Sequence, residues 1–232
     1  MRHFLHPLFI LLCLPLFLWQ CDDDSVGVQN PDPSGKRVLI LNEGTFNNGN
    51  ASLSIYSPDS QEVVRDVFRN RNGRPLGDVF QSMRFARQKG FLVINNSGKI
   101  EVVDSATLES VGVIRDLPSP RYLQPTGDGR GYVSNFTQAD SSELSIVSLN
   151  GLQKTGSIRT GGWTGNMTRA AGRIWVPEVK AGWLLAVDPA TDAVTDTVKL
   201  RVEVQQVVRD AEDQLWALGN GGIDDSVVPA LY

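Results

Sequence analysis

The chain has 232 residues, 41% of them hydrophobic, with 22 basic against 26 acidic side chains, two histidines and two cysteines. That is enough apolar chain to bury a core. The acidic balance excludes a binder of nucleic-acid phosphates, which needs a basic field.

The amino end carries the zones of an export signal: Arg2, then the apolar run FLHPLFILLCLPLFLW, then Cys21 at its boundary. His6 and Pro15 interrupt the run and Asp22, Asp23 and Asp24 close it, so residues 1–20 read as a signal peptide, with a retained anchor helix as the alternative. Cleavage there removes Arg2, both histidines and Cys13, leaving 21 basic groups, no imidazole and a single thiol. Ser-His-Asp and Cys-His sites, His-bearing zinc and haem with a proximal histidine are then excluded by inventory, as is an intramolecular disulfide. Cys21 reads as a lipid-modified first residue, with Leu18 three places before it, although Trp19 and Gln20 replace the small residues normally found there. Residues 21–35 form an acidic, polar tether that extends to at most about 50 Å.

From Lys36 the sequence repeats. Units begin at Lys36, Gly90, Gly131, Gly172 and Asp213, each with a short apolar strand, a polar loop, an alternating strand ending in Asp or Ser, a turn and a further strand. Leu39, Leu92, Tyr132, Trp175 and Trp216 are matched across units, 53, 40, 43 and 41 residues apart. A period of about 40 residues with three visible strands is that of propeller blades. DSAT at 104 and DPAT at 188 are the expected turns, with the Asp side chain bonding the backbone ahead of it. The segments starting at Val79, Arg121, Trp163 and Glu203 supply innermost strands, giving four strands per blade. The expected fold of 36–232 is therefore an all-β propeller with about four and a half blades, since PALY falls where a third strand belongs. Such a count implies an open arc, or a fragment of a seven-bladed propeller.

The VVDSAT and AVDPAT turns resemble those of YncE-like, YVTN-type β-propellers, and LNEGTFNNGNASLSIYSPDS at 41–60 resembles the first blade of YncE-like surface lipoproteins of Gram-negative bacteria encoded with outer-membrane receptors. The resemblance implies a seven-bladed propeller on the outer face of the outer membrane. It would work beside a TonB-dependent transporter, with cobalamin or a related corrinoid as ligand in the best known members. The acidic stretch after Cys21 resembles the export mark of such lipoproteins.

On a propeller, function falls to loops at one rim. Asn42, Glu43, Phe46, Asn95, Asn135 and Phe136 lie in or beside the loops that follow the first visible strand of each unit. Their amides and aromatics suit a ligand rich in amide and hydroxyl groups, although Asn also serves turn geometry and Phe also packs inward. Gln81, Gln124, Asn166 and Gln205 recur on the inner strands, at a ligand mouth or lining a wet channel. Trp163, on a loop that feeds an inner strand, is the stacking candidate, while Trp175 and Trp216 are expected in the blade core. Glu43, Glu178, Asp224 and Asp225 are the carboxylates that catalysis or Ca²⁺ would use, but no spacing matches a calcium loop. The expectation is a binding protein without cofactor or metal and without enzymatic activity. Its alternatives are an interaction scaffold and, less favoured, a propeller enzyme of lactonase or lyase type.

Overall fold

The computed structural model describes residues 35–137, 142–200, 203–220 and 229–232. The expected signal peptide, Cys21, nearly all of the tether, Asp224 and Asp225 lie outside the described residues. Five antiparallel sheets follow one another along the chain. Strands β1 (Val38–Asn42), β2 (Ser52–Ser57) and β3 (Glu62–Val64) make the first. After helix α1 (Val67–Asn72) come β4 (Phe80–Ala86), β5 (Lys89–Ile94), β6 (Lys99–Asp104) and β7 (Ser110–Ile114). The third blade is β8 (Pro120–Pro125), β9 (Arg130–Asn135), β10 (Ser142–Ser148) and β11 (Gln153–Gly161). The fourth is β12 (Thr168–Ala170), β13 (Arg173–Glu178), β14 (Trp183–Asp188) and β15 (Ala193–Lys199), and the fifth β16 (Val204–Arg209), β17 (Leu215–Gly219) and β18 (Ala230–Leu231).

The propeller is as expected, but its blade count is not. Five blades of three to four strands are arranged in a ring, which replaces the open arc of four and a half four-stranded blades. Among the described residues the first and last sheets have three strands each. In the fifth, Leu231 pairs with Leu218 and Ala230 with Gly219, while Ala217 and Tyr232 exchange backbone hydrogen bonds of 3.0 Å in both directions. The tail therefore pairs as the third strand of this sheet.

Strand order places two kinds of connection at opposite ends of every blade. The tight turns between first and second strands, and between third and fourth, lie at one end, called here the turn face. The links between second and third strands, and from one blade to the next, lie at the other, the loop face.

The blades stack through three cores. Leu53 and Ile55 of blade 1 meet Leu92 and Ile94 of blade 2; Phe91 and Val93 meet Val133 and Val147 of blade 3; Tyr132 and Leu144 meet Ile174 and Val176 of blade 4. Successive strand residues point to opposite sides, so a one-residue error exchanges the faces. Leu92 faces back toward blade 1, whereas Leu39 and Tyr132 face forward. The structural counterpart in blade 2 is thus Phe91, not Leu92. Trp216 is also not core: it is 39% exposed and its indole N–H donates to the Asp210 carboxylate at 2.7 Å. Trp175 is half-buried, its indole N–H donating to the Ala170 carbonyl at 3.3 Å.

The long first interval has a cause. Residues 65–78 hold α1, whose Val67 and Phe68, with Leu76 beyond it, enter the core between blades 1 and 2. The helix ends at Gly73 in the left-handed region (φ 66°), where its N–H reaches the Arg69 carbonyl. Arg74 then lies 5.0 Å over the Phe68 ring and forms a two-pronged contact with Glu101 of β6. Burial opposes the Glu101 charge, but hydrogen bonds from Arg74 and Ser110, with Lys99 beside them, outweigh it and lower the pKa.

Both predicted Asp turns form on the turn face. Asp104 accepts from the Ala106 and Thr107 N–H groups at 2.9 Å, and Asp188 from Ala190 at 2.8 Å. Basic residues at the start of second strands lock onto the turn of the next blade. Arg37 donates to the Ser105 and Ala106 carbonyls of blade 2, and Arg130 to Asp192 and the Pro189 carbonyl of blade 4.

Candidate functional site

The loop face differs in chemistry from the turn face. Every buried side-chain polar atom without a partner among the described residues lies at the loop face or in the segment entering it: Asp78 Oδ1, Arg121 Nε, Asn135 Oδ1, Thr137 Oγ1, Ser142 Oγ and Thr164 Oγ1. A buried polar group left unpaired costs about 1–3 kcal/mol, so such groups gather where a solvent molecule or ligand supplies the missing bond. Five of the six belong to the neighbourhood of blades 3 and 4. Asn135, Ser142 and Thr164 are wholly buried there.

Phe136 and Trp163 meet at this place. Phe136 follows the end of β9, its N–H donating to the Ser119 carbonyl at 2.9 Å. Trp163 lies on the link into blade 4, its carbonyl accepting the Val179 N–H at 3.0 Å. The rings sit edge to face, 5.1 Å between centroids at 71°. The Arg121 guanidinium carbon stands 5.4 Å from the Trp163 ring centre, 5.7 Å from Phe136 and 5.8 Å from Tyr122. Two residues far apart in sequence, both singled out as aromatic ligand plates, are thus neighbours around a cation that sequence reasoning missed.

A β-bulge explains why Arg121 is there. In the first ladder of blades 2, 3 and 5 the register skips one residue, between Phe80 and Ser82, between Pro120 and Tyr122, and between Val204 and Gln206. The skipped residues are Gln81, Arg121 and Gln205, and a bulge re-aims its side chain. In blade 4 the Thr164–Glu178 bridge occupies the place of those outer pairs, which makes Gly165 the fourth member. A Cβ on Gly165 would stand 2.1 Å from the Gln205 carbonyl oxygen, so only glycine fits. The repeat is therefore Gln81, Arg121, Gly165 and Gln205, one residue type changing at each blade. The sequence pattern that could have shown it was the distance from each second strand, which the resemblance among glutamines concealed.

The other expected residues are spread over the same face in different roles. Gln124 is buried, its amide donating to the Pro125 carbonyl at 2.9 Å. Asn42 donates to the Ser52 and Ser54 hydroxyls, Asn95 to the Pro120 carbonyl, and Asn135 to the Glu143 carbonyl and Ser145 hydroxyl. These amides brace their blades. Glu43 is exposed and Phe46 is 62% exposed, on a loop braced by the Asn50 side chain on the Thr45 N–H and Asp78 on the Asn47 N–H. Asn166 is half-buried, its N–H donating to the Gln205 carbonyl at 2.9 Å. Glu178 is buried against Gly162 and accepts the Ala181 N–H at 2.9 Å. Glu43 and Glu178 belong to blades 1 and 4. No group of three His, Cys, Asp or Glu side chains among the described residues is placed to hold a metal.

A five-bladed propeller with a polar, aromatic mouth on one face is the class that this geometry defines. The chain belongs to the family of the domain of unknown function DUF5074, whose model matches residues 36–225. No curated protein sequence matches it. Among solved structures it is similar to hydrazine synthase of Kuenenia stuttgartiensis, with TM-score 0.60 and 11% identity over 75% of this chain and 53% of that one. It is also similar to a protein of unknown function from Bacteroides caccae (TM-score 0.52, 14% identity, 83% and 85% of the two chains). A third is the Cps50 (Swd1) propeller domain of Myceliophteria thermophila, with TM-score 0.55 and 10% identity over 85% and 72%. The chain spans about half the length of the hydrazine synthase chain. At these identities the likeness is one of fold, and the fold serves an enzyme as well as a domain of a different kind.

Proposed function

We propose that this protein captures a small ligand at the loop face, at the mouth flanked by Phe136 and Trp163. The observation that carries the reading is the segregation of the six unpartnered buried polar atoms among the described residues to that side of the molecule, five of them near the aromatic pair. On this reading Cys21 carries a lipid that holds the protein on the outer membrane. The tether lets it lean over a TonB-dependent transporter, to which it passes a corrinoid or similar compound, as the resemblance to YncE-like surface lipoproteins suggests. Among the described residues no helix is long and apolar enough to cross a membrane. We read the site as one of binding rather than catalysis.

Calorimetry with cobalamin and with a glycan panel tests it. Heat from one of these, lost in Phe136→Ala and Trp163→Ala, is the expected result; silence from every ligand would count against capture. Membrane fractionation of Cys21→Ala tests the anchor, with release to the soluble fraction expected.

A second reading, a protein-interaction scaffold, is favoured by the fifth blade. Val208, Trp216 and Leu218 are 50%, 39% and 46% exposed there. A contiguous apolar patch of this kind suits a protein partner. Silent calorimetry with a protein partner retained by the wild type and lost in Trp216→Ser and Leu218→Ser would favour it.

A further inference from the structure

Arg121 stands apart from the other well-placed arginines. Arg74 is held by Glu101 and Ser110, and Arg130 by Asp128, Asp192 and the Pro189 carbonyl. Arg121 has an ion pair with no residue among those described, and its buried Nε donates to nothing. What surrounds it is aromatic: Tyr122, Phe136 and Trp163. Its backbone is fixed from the neighbouring blade, where the Ser82 hydroxyl donates to the Arg121 carbonyl at 2.5 Å. The Glu178 carboxylate is buried, accepts the Ala181 N–H and makes no ion pair with Arg121. A guanidinium with free donors in a fixed fork, walled by rings, matches an oxyanion attached to a flat apolar body. The oxyanion takes the fork and the body lies against the rings. A neutral amide could accept from the fork but would leave its charge uncompensated.

We infer that Arg121 is a ligand-binding residue that selects organic anions, a carboxylate or phosphate joined to a planar ring system, at the mouth between blades 3 and 4. The inference rests on the capture reading and narrows its ligand class, replacing neutral amide groups as the feature recognised. The position in the bulge series supports it. Gln81 and Gln205 occupy the equivalent places in blades 2 and 5, and Gly165 leaves the place next to Arg121 without a side chain.

The test titrates the full chain with phenylacetate against its neutral isostere phenylacetamide, and with phenyl phosphate against phenol, following Trp fluorescence and ligand-observed NMR. The expected result is binding of at least one acid roughly tenfold tighter than its neutral counterpart, the arm that responds telling carboxylate from phosphate. In Arg121→Gln the preference disappears, and in Arg121→Lys it is reduced but kept. Equal binding of acid and neutral forms by the wild type overturns the inference without any variant having to fold, and so does a preference that survives in Arg121→Gln. A cobalamin or glycan signal lost in Trp163→Ala yet unchanged in Arg121→Gln would overturn this inference while leaving capture standing.

Discussion

The two ends of the propeller are built from the same strands but obey different rules. On the turn face the charges at the blade junctions are paired. Arg130 is shared among Asp128, Asp192 and a carbonyl, the Tyr132 hydroxyl donates a hydrogen bond to Asp192, and Asp104 and Asp210 cap their turns. On the loop face, polar atoms are buried without partners and an arginine is surrounded by rings. A polar network that is complete rigidifies a fold, and one that is incomplete waits for another molecule. The turn face holds the blades in register, and the loop face is where the protein has chemistry to spare.

The comparison can be broken most sharply at Gly165. It lies on the loop face but in a crowded backbone contact, so Gly165→Ala should lower stability by about 3 kcal/mol, near the upper end for overpacking. Urea denaturation reads this directly, and an unchanged midpoint would show that the blade 4 to blade 5 contact is loose. On the turn face, Asp192→Ala takes one of three partners from the half-buried Arg130 and leaves the Tyr132 hydroxyl without its acceptor. A loss of about 2 kcal/mol is expected, discounted from a buried network because Asp192 is partly exposed.

Acid should weaken the turn face. The Thr126 hydroxyl, then Arg130, hold Asp128 down to about 2 against the opposing effect of burial. The Trp216 indole lowers Asp210, and the Thr107 and Ala106 N–H groups lower Asp104. A carboxylate with a depressed folded-state pKa contributes stability that is present above its unfolded value and lost as pH falls through its folded value. Thermal midpoints should therefore fall from about pH 4 toward pH 2. Asp128→Asn should flatten part of that slope, and an identical acid profile for the variant would remove Asp128 from the account.

The smallest effect is the most discriminating. Thr126 donates its hydroxyl to Asp128 on the turn face, while the Thr164 hydroxyl on the loop face is buried with no partner. Thr126→Val should cost about 1 kcal/mol and Thr164→Val should be neutral or slightly stabilising, since it removes a desolvated group that bonds nothing. Equal losses at both positions would mean that Thr164 has a partner in solution, such as a bound water.

Much of the fold was legible because it repeats. The Asp turns at 104 and 188 form as read, and the segments from Val79, Arg121 and Glu203 become β4, β8 and β16. The segment from Trp163 is a strand only over β12, with a single bridge at Thr164 before it. The error at Leu92 has a plain origin: residues 91–94 are all apolar, so alternation cannot tell which face each side chain takes when both faces are buried. Phe136 and Trp163 were visible as aromatics in loops. Their meeting was not, because it depends on how the end of β9 and the link into blade 4 converge.

The sequence by itself determined the unit: its period, its turns, the acidic balance of the chain and the lack of histidine beyond position 6. Those are local properties, fixed by side-chain alternation and by what an Asp can do to the backbone next to it. Only the tertiary structure decided that the last residues pair with β17, that Phe91 rather than Leu92 carries the forward face, and that Arg121 stands among three rings. Each of these depends on ladder register, where one skipped residue reverses a side chain. A bulge leaves almost no trace in one-dimensional pattern, yet here it sets which residue reaches the mouth of the site.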